Sequence, residues 1–380
     1  MRFLWRHLGE LGMGLCRLGD YIRACNERNT DNAITLFQGV TVEHEFAKPR
    51  RIAEDTASGK IVRTGQFAYN KVMKANNTKL PIALREGPDC VVSSSYQVFE
   101  IIDKEKLLPE YLLMWFNRPE TQRYAGFISY GTTRDIFSFE DMCNMSIYIP
   151  PIEIQRKYAG VYTAMKNHHR ALSRGIEDLR LVCDMYIEDL RRKMPCVRLG
   201  DYITRHNVRN GVNGTKNVKC VSTAKEFREV GAKVDRENLA DYKVCRPRQF
   251  AFVHTTNHEK VFAYAFNNTG EDIVVSSVDD VFSVDESIIL PEYLCVWFNR
   301  SEFDRYARFH SWGSVREVFT WNDLCEVKIP IPDITIQRSI ANIYTAAQKR
   351  KSLADRLNTL IKSACPVLIK GAIDESQLMI

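Results

Sequence analysis

The sequence lacks the short motifs on which most nucleotide-dependent and metal-dependent enzymes rely. Its 380 residues contain no Gly-x4-Gly-Lys-Ser/Thr phosphate loop, no Gly-x-Gly-x-x-Gly after a strand and no His-Glu-x-x-His zinc helix. They also contain neither Asp-Pro-Pro-Tyr nor Asn-Pro-Pro-Tyr, the tetrapeptides of amino-group methylation. We therefore expect no catalytic residues, no metal ligands and no bound cofactor in this chain.

Long apolar runs and paired cysteines are missing too. Runs such as 112–116 and 261–266 fall far short of the roughly 20 residues that span a bilayer. Charged residues are scattered through the N-terminus, which argues against a secretory signal. The eleven cysteines are an odd number and no two are separated by only two residues, so neither a disulfide framework nor a zinc ribbon is indicated. We expect a cytoplasmic globular protein with reduced, mostly buried thiols.

The sequence contains a long internal repeat. The segment 108–125 recurs as 290–307 with 13 of 18 positions identical, at an offset of 182 residues. At nearly the same offset, Leu-Gly-Asp-Tyr-Ile at 18–22 returns at 199–203, and Ile-Gln-Arg also occurs twice. A near-constant offset over this length identifies a tandem duplication. Each copy is a domain followed by a helix.

Each domain is predicted to mix α and β structure. Short β-branched or aromatic runs, such as 91–102 and 274–284, lie between Gly, Asn and Pro turn signals, while 108–125 has the length and composition of an amphipathic helix. The tail repeats the Pro-to-Gly spacing found at 195–200, which suggests that it completes the first domain. The predicted divisions are domain one at 1–150, a central helix at 151–194, domain two at 195–332, a C-terminal helix at 333–365 and the tail at 366–380.

The two long helices carry a heptad pattern. In the central helix the seam sustains steps of four and three residues, with His169 as its one polar member, and in the C-terminal helix it slips by one residue after Ala347. We expect the helices to pair as an antiparallel coiled coil that relates the two copies by an approximate two-fold axis. Separate packing of each helix on its own domain is the alternative. The seam residues are Tyr162, Met165, Leu172, Ile176 and Leu179 in the first helix and Tyr344, Leu353, Leu357 and Leu360 in the second.

The copies diverge most in two basic inserts, at 25–84 and 206–265. The net charge of the whole chain is only +6, but residues 48–85 hold nine basic residues against two acidic ones, and 205–233 hold seven against two. Their Arg, Lys, Asn and His side chains match phosphates and base edges, which favours DNA binding over a merely solvated basic face. The candidates are Lys48, Arg50, Arg51, Arg63, Lys71, Lys74, Asn76 and Lys79 in the first insert, which also holds Lys60, and Arg205, Asn207, Arg209, Lys216 and Lys219 in the second.

Two smaller features add candidates. The repeated Gly-x-x-Arg loops at 131–134 and 313–316 place Arg134 and Arg316 where they could clamp a phosphate, although a purely structural role is the alternative. His254 and His258 are four residues apart, but the Thr-Thr-Asn before His258 indicates a loop and not a metal-binding helix. A base or phosphate contact is the favoured interpretation of this pair.

Taken together, the repeated features resemble the specificity subunit of type I restriction-modification systems. The resemblance covers essentially the whole chain and rests on the Leu-Gly-Asp start, the variable domain, the Gly-x-x-Arg loop, the Ile-Pro-Pro-Ile-Glu-Ile-Gln run ending at Gln155 and the long helix, all present twice. The family departs from this chain in having adjacent Glu and Gln after the prolines. The resemblance implies two target recognition domains, each reading half of a split double-stranded DNA site, spaced by the paired helices.

The resemblance also implies the partners. The specificity subunit is not itself an enzyme. It docks modification subunits, which transfer a methyl group from S-adenosylmethionine to adenine N6, and restriction subunits, which translocate and cut DNA with ATP and Mg. A subunit of a related type II system and an autonomous DNA-modifying enzyme remain as alternatives, and the missing catalytic motifs weigh against the second.

Overall fold

The chain folds as two units, each made of a mixed α/β domain and part of two long helices. Unit 1 comprises Met1–Ala171 and Ala354–Ile380, and unit 2 comprises Leu172–Leu353. No helix in the described part of the chain is long and apolar enough to cross a bilayer. The computed structural model describes residues 15–49, 57–73, 79–131, 135–212, 214–231, 234–235, 238–255, 261–313 and 317–378.

Unit 1 is built on an antiparallel sheet of order β2-β10-β6-β8. Helix α4 leaves this unit and continues into unit 2. The strands are β1 (Leu15–Arg17), β2 (Ile22–Cys25), β3 (Gly39–Val40), β4 (Phe46–Ala47), β5 (Lys60–Val62), β6 (Phe67–Asn70), β7 (Val72–Met73), β8 (Ile82–Leu84), β9 (Cys90–Val92), β10 (Tyr96–Ile101), β11 (Asp135–Ile136) and β12 (Ser146–Tyr148), and the helices are α1 (Pro109–Phe116), α2 (Pro119–Ile128), α3 (Phe139–Cys143) and α4 (Ile152–Lys193).

Unit 2 repeats this plan with an antiparallel sheet of order β14-β21-β18-β19. Helix α8 continues from it into unit 1. The strands are β13 (Cys196–Arg198), β14 (Ile203–His206), β15 (Lys219–Val221), β16 (Phe227–Glu229), β17 (Lys243–Cys245), β18 (Phe250–Phe252), β19 (Tyr264–Phe266), β20 (Ile273–Val275), β21 (Asp280–Val284) and β22 (Lys328–Pro330), and the helices are α5 (Pro291–Phe298), α6 (Ser301–Phe309), α7 (Trp321–Cys325) and α8 (Ile334–Gln377).

The divergent inserts build equivalent strands in the two units: β3, β4, β5, β6 and β8 correspond to β15, β16, β17, β18 and β19. Phe67 stacks on Phe99 with ring centroids 4.9 Å apart, and Phe250 stacks on Phe282 at the same distance. These pairs tie an insert strand to a strand outside the insert, so each insert belongs to its domain's core. The predicted fold class, mixed α/β with two long helices, is confirmed.

The repeated sequence motifs hold the scaffold together. Gln155 is fully buried, accepts a hydrogen bond from the Leu108 N–H at 2.9 Å and donates to the carbonyls of Lys106 and Pro150. Gln337 makes the equivalent bonds in unit 2. A Cβ added to Gly19 would lie 2.8 Å from the Cys143 Cβ, so the first Leu-Gly-Asp needs glycine for close approach to α3.

Helices α4 and α8 pack together, as predicted. Within unit 1, Lys157 near the start of α4 forms a 2.7 Å ion pair with Glu375 near the end of α8, and the Tyr158 hydroxyl donates to the same carboxylate. Within unit 2, the Arg350 guanidinium lies directly over Gly175. The beginning of one helix therefore meets the end of the other, which is the antiparallel arrangement.

The predicted seam of the C-terminal helix is wrong after Ala347. Leu353 and Leu360 are 51% and 55% exposed, whereas Ala354 is buried and Ile361 packs against the unit 1 core. The spacing from Ile340 through 347, 354 and 361 is a constant seven residues, so no slip occurs. The slip was predicted because it places leucines in the seam. In a continuous helix, however, the buried face follows from the helical repeat, and a small alanine side chain fits where the packed surface comes close to the helix.

Two further expectations about the helices are corrected. In α4, the predicted steps of four and three residues continue from Leu179 to Cys183 and Tyr186, but Tyr186 is exposed and the neighbouring Ile187 is buried in the unit 2 core. Helix α8 does not end before Pro366 but continues to Gln377 with the proline inside it. The tail therefore does not copy the strand at 196–198, and its Ile369 and Ala372 lie in the unit 1 core. Burial of this last part of α8 favours the helix against the roughly 3 kcal/mol that an interior proline costs.

Candidate nucleic-acid interface

The predicted residues of the first insert lie in different environments. Lys48 and Lys79 are exposed, and Lys71 is half-buried between β6 and β7. Arg63 is held by Glu27 and, at 2.7 Å, by Asp89, and these hydrogen bonds raise the pKa of the guanidinium above its ordinary value. The same contact holds the pKa of the Asp89 carboxyl below its ordinary value. Arg63 thus supports the fold of unit 1 and is less available to a phosphate than the sequence suggested.

Seven of the predicted contact residues fall outside the described part of the chain. They are Arg50, Arg51, Lys74, Asn76, Arg134, His258 and Arg316. They remain predictions.

The second insert places several predicted residues at the surface. Asn207, Arg209 and Lys216 are exposed, and Lys219 forms an ion pair with Glu229 across the β15-β16 hairpin. The Arg209 guanidinium donates to the Asp241 carbonyl at 2.6 Å, which orders it while leaving other donors for a ligand. An exposed, ordered arginine of this kind is suited to a phosphate or base contact.

A buried carboxylate brings two predicted residues of unit 2 together. Asp280 is fully buried, and its oxygens accept hydrogen bonds at 2.5 Å from both Arg205 and His254. The buried Lys243 ammonium is 3.4 Å from the same carboxylate and 2.7 Å from the Asp279 carbonyl. Burial alone would raise the pKa of Asp280, but the contacts with His254 and Arg205 outweigh it and hold that pKa below its ordinary value. Sequence reasoning missed Lys243 and Asp280.

An Arg-Asn pair lies at the first loop of each insert, and of these four residues the sequence analysis had named only Arg209 as a candidate. Asn29 donates from its amide to the Ile34 carbonyl at 2.9 Å, and Asn210 donates to the Thr215 carbonyl at 3.0 Å. Arg28 before it donates to the Ser58 carbonyl, as Arg209 does to Asp241. The recurrence of Arg-Asn at an offset of 181 residues was the signal that could have found it.

Exposed aromatic side chains flank both Gly-x-x-Arg loops. Phe127 and Tyr130 are 78% and 74% exposed, and Phe309 and Trp312, at an offset of 182 residues, are 75% and 73% exposed. Aromatic rings left in water at matching positions offer stacking surfaces to bases. They lie outside the divergent inserts, so this surface is common to both units.

No protein-family model matches the sequence, and comparison with curated proteins finds no match. Solved structures do match. The HsdS subunit from Thermoanaerobacter tengcongensis matches with a TM-score of 0.35 at 16% identity over 94% of this chain and 96% of that chain. A chain from a structure on complex assembly and conformational transition of the type I R-M system matches with a TM-score of 0.40 at 16% identity over 96% and 97%.

A third solved structure matches more closely in geometry. The crystal structure of the type I restriction-modification system S subunit from M. genitalium has a TM-score of 0.58 at 9% identity, covering 94% of this chain and 95% of that chain. Two duplicated α/β domains and two long packed helices are thus common to both molecules. The chain has the fold of the S subunit of type I restriction-modification systems.

Proposed function

We propose that this chain is the DNA sequence-specificity subunit of a type I restriction-modification complex, with each domain reading one half of a bipartite site. One observation carries the proposal: two inserts that share almost no sequence form the same strands on one scaffold. A constant scaffold with variable, basic, exposed side chains suits two readers of two different base sequences. The fold shared with a type I S subunit supports this assignment.

The proposal includes partners and excludes turnover by the chain itself. The scaffold would dock modification subunits that methylate adenine using S-adenosylmethionine and restriction subunits that use ATP and Mg, in the cytoplasm and in defence against phage. The paired helices would space the two half-sites. The residues that the sequence analysis singled out for DNA provide contacts and not chemistry, because phosphate and base recognition needs donors and acceptors but no nucleophile.

Selection of binding sites from random duplex DNA by the purified full chain tests the proposal. We expect a site with two short specified halves and an unspecified gap, and an affinity that falls steeply with salt because phosphate contacts release counterions. Lys48→Gln should reduce the salt dependence, whereas Lys349→Gln, which also changes an exposed lysine but on α8, should not. A single continuous site, or binding insensitive to salt, would contradict the proposal.

A further inference from the structure

One buried position carries a neutral amide in unit 1 and a carboxylate in unit 2. In β10 Val98 pairs with Cys25, and in β21 Val281 pairs with His206, so the preceding residues Gln97 and Asp280 occupy equivalent sites. Gln97 is buried like Asp280 but carries no charge, and its amide donates to the Val98 carbonyl at 2.8 Å. Unit 1 therefore lacks the central anion of the unit 2 cluster.

Two of the three cations around that position have a cationic counterpart in unit 1, whereas Ala24 stands where unit 2 has Arg205. Lys60 in β5 is the equivalent of Lys243 in β17, since they pair with Val92 and Val275 respectively. Lys71 is the equivalent of His254, because the carbonyl of each accepts a hydrogen bond from the N–H of a phenylalanine two residues before a short helix. The donors are Phe137, before α3, at 2.9 Å and Phe319, before α7, at 2.8 Å. Arg28 forms a β-bridge with Lys60.

The Lys60 ammonium has no counterion among the described residues. Lys60 is 7% exposed, and its Nζ donates to the Asn26 Oδ1 at 3.2 Å, whereas Lys243 faces a carboxylate. Burial, followed by the positive charges of Lys71 and Arg28, lowers the pKa of Lys60. Among the described residues this buried cation has cationic neighbours and no anion. Such an arrangement destabilises the free protein, and a ligand that brings the anion removes this cost.

We propose that Lys60, Lys71 and Arg28 form a phosphate site of unit 1 that takes a backbone phosphate of DNA, and that in unit 2 the Asp280 carboxylate occupies the corresponding site. The inference rests on the proposed function and deepens it, because it makes the two units unequal in how they hold DNA. Unit 1 gains a sequence-independent phosphate contact. In unit 2 the Asp280 carboxylate instead pairs with the equivalent lysine, Lys243, and orders Arg205 and His254.

The matched variants Gln97→Asp and Gln97→Asn test the site in the full chain. They have nearly the same shape, but only Gln97→Asp supplies the internal anion that Asp280 supplies in unit 2. Gln97→Asp should bind duplex DNA about fivefold more weakly than Gln97→Asn at physiological salt, with a salt slope shallower by about 0.9, the value of one lost phosphate contact. Equal affinities and equal slopes for the two variants would overturn the proposal.

A second pair of variants compares the two units directly. Lys60→Met should raise the melting temperature of the free protein and weaken DNA binding, because it removes an unpaired buried charge and a phosphate ligand together. Lys243→Met should lower the melting temperature, because it takes a cation from the buried Asp280. If Lys60→Met lowers the melting temperature as Lys243→Met does, Lys60 serves the fold and the phosphate site is wrong.

Inorganic phosphate separates the failure of this site from the failure of the proposed function. At equal ionic strength, phosphate should raise the melting temperature of the wild-type chain more than chloride does, and Gln97→Asp should abolish the difference. Stabilisation by phosphate without any DNA binding would show an anion site that serves a free phosphate or nucleotide, which would overturn the assignment to DNA backbone. Absence of any phosphate effect together with unaltered DNA binding by the variants would overturn the site and leave the specificity function standing.

Discussion

At the residue scale, the two units satisfy the same buried backbone groups with different side chains. In unit 1 the Gln122 amide accepts from the Leu80 N–H and donates to the Phe116 carbonyl, both at 2.5 Å. In unit 2 Asp304 accepts from the Phe262 N–H at 3.0 Å, and Lys225 donates to the Phe298 carbonyl at 2.6 Å. One amide is thus replaced by an ion pair, and such exchanges explain why the inserts diverge in sequence without diverging in fold.

His44 occupies the hairpin position of Lys225 and makes unit 1 sensitive to acid. Both residues have positive φ, and the His44 Nδ1 lies 3.0 Å from the Ile82 carbonyl. Burial lowers the pKa of His44 from its ordinary 6.5 to about 4. Because the folded-state pKa lies below the unfolded one, protonation opposes folding. Stability is unaffected above pH 6.5 and declines as the pH falls from 6.5 towards 4.

We expect His44→Asn to remove this part of the acid sensitivity. Asparagine tolerates positive φ and does not titrate, so the variant should lose up to about 3 kcal/mol less stability than wild type between pH 7 and pH 4. Urea denaturation of both proteins across this range measures the difference. His168→Asn, at an exposed site on α4, is the control and should follow the wild-type curve. Parallel pH curves for wild type and His44→Asn would contradict the expectation.

At the scale of elements, the long helices were the most predictable parts and their register the least. Period and proline positions indicated two long helices, and α4 was predicted within a residue of its bounds at each end. The face of α8 was misassigned because Leu353 and Leu360 are more hydrophobic than the alanines that are in fact buried. Hydrophobicity indicates which residues favour burial, but the surface against which α8 packs determines which face of the helix is buried.

The register of α8 predicts unequal effects for two neighbouring substitutions. Ile361→Ala should destabilise unit 1 by about 2 kcal/mol, because Ile361 packs against its core. Leu360→Ala should change the stability by no more than about 0.5 kcal/mol, because Leu360 is 55% exposed. Chemical denaturation of the two variants measures both values. A larger loss for Leu360→Ala would restore the seam that the sequence suggested.

At the scale of the whole molecule, the duplication predicts that the inserts are interchangeable. The insert of unit 1 runs from the end of β2 to the end of β8, and that of unit 2 from the end of β14 to β19. Two lysines of the second insert with buried side chains pair with carboxylates outside it: Lys225 with Asp304 and Lys243 with Asp280. A transplanted second insert therefore needs a carboxylate at Gln122 and at Gln97.

We expect a chain in which 207–266 replaces 26–84, with Gln122→Asp and Gln97→Asp, to recognise two identical half-sites. Both would match the half read by unit 2 in the parent, since the bases are read by the insert on an unchanged scaffold. Site selection from random duplexes is the measurement. The same chimera without the two carboxylates should be less stable, because Lys225 and Lys243 would be buried without counterions. A changed specificity in both halves, or in neither, would refute the modular interpretation.

The sequence by itself determined the duplication, the fold class, the two long helices and the basic character of the inserts, because identity at a constant offset, periodicity and charge are properties of the chain. It did not reveal which lysines are buried or which of them meet an anion. Lys60 in β5 and Lys243 in β17 are lysines at equivalent positions of the two units, yet only Lys243 has a carboxylate partner among the described residues, Asp280, which lies 37 residues further along the chain. Only the tertiary structure decides such pairings, because the free energy of a buried charge depends on the groups that folding brings within a few ångströms of it.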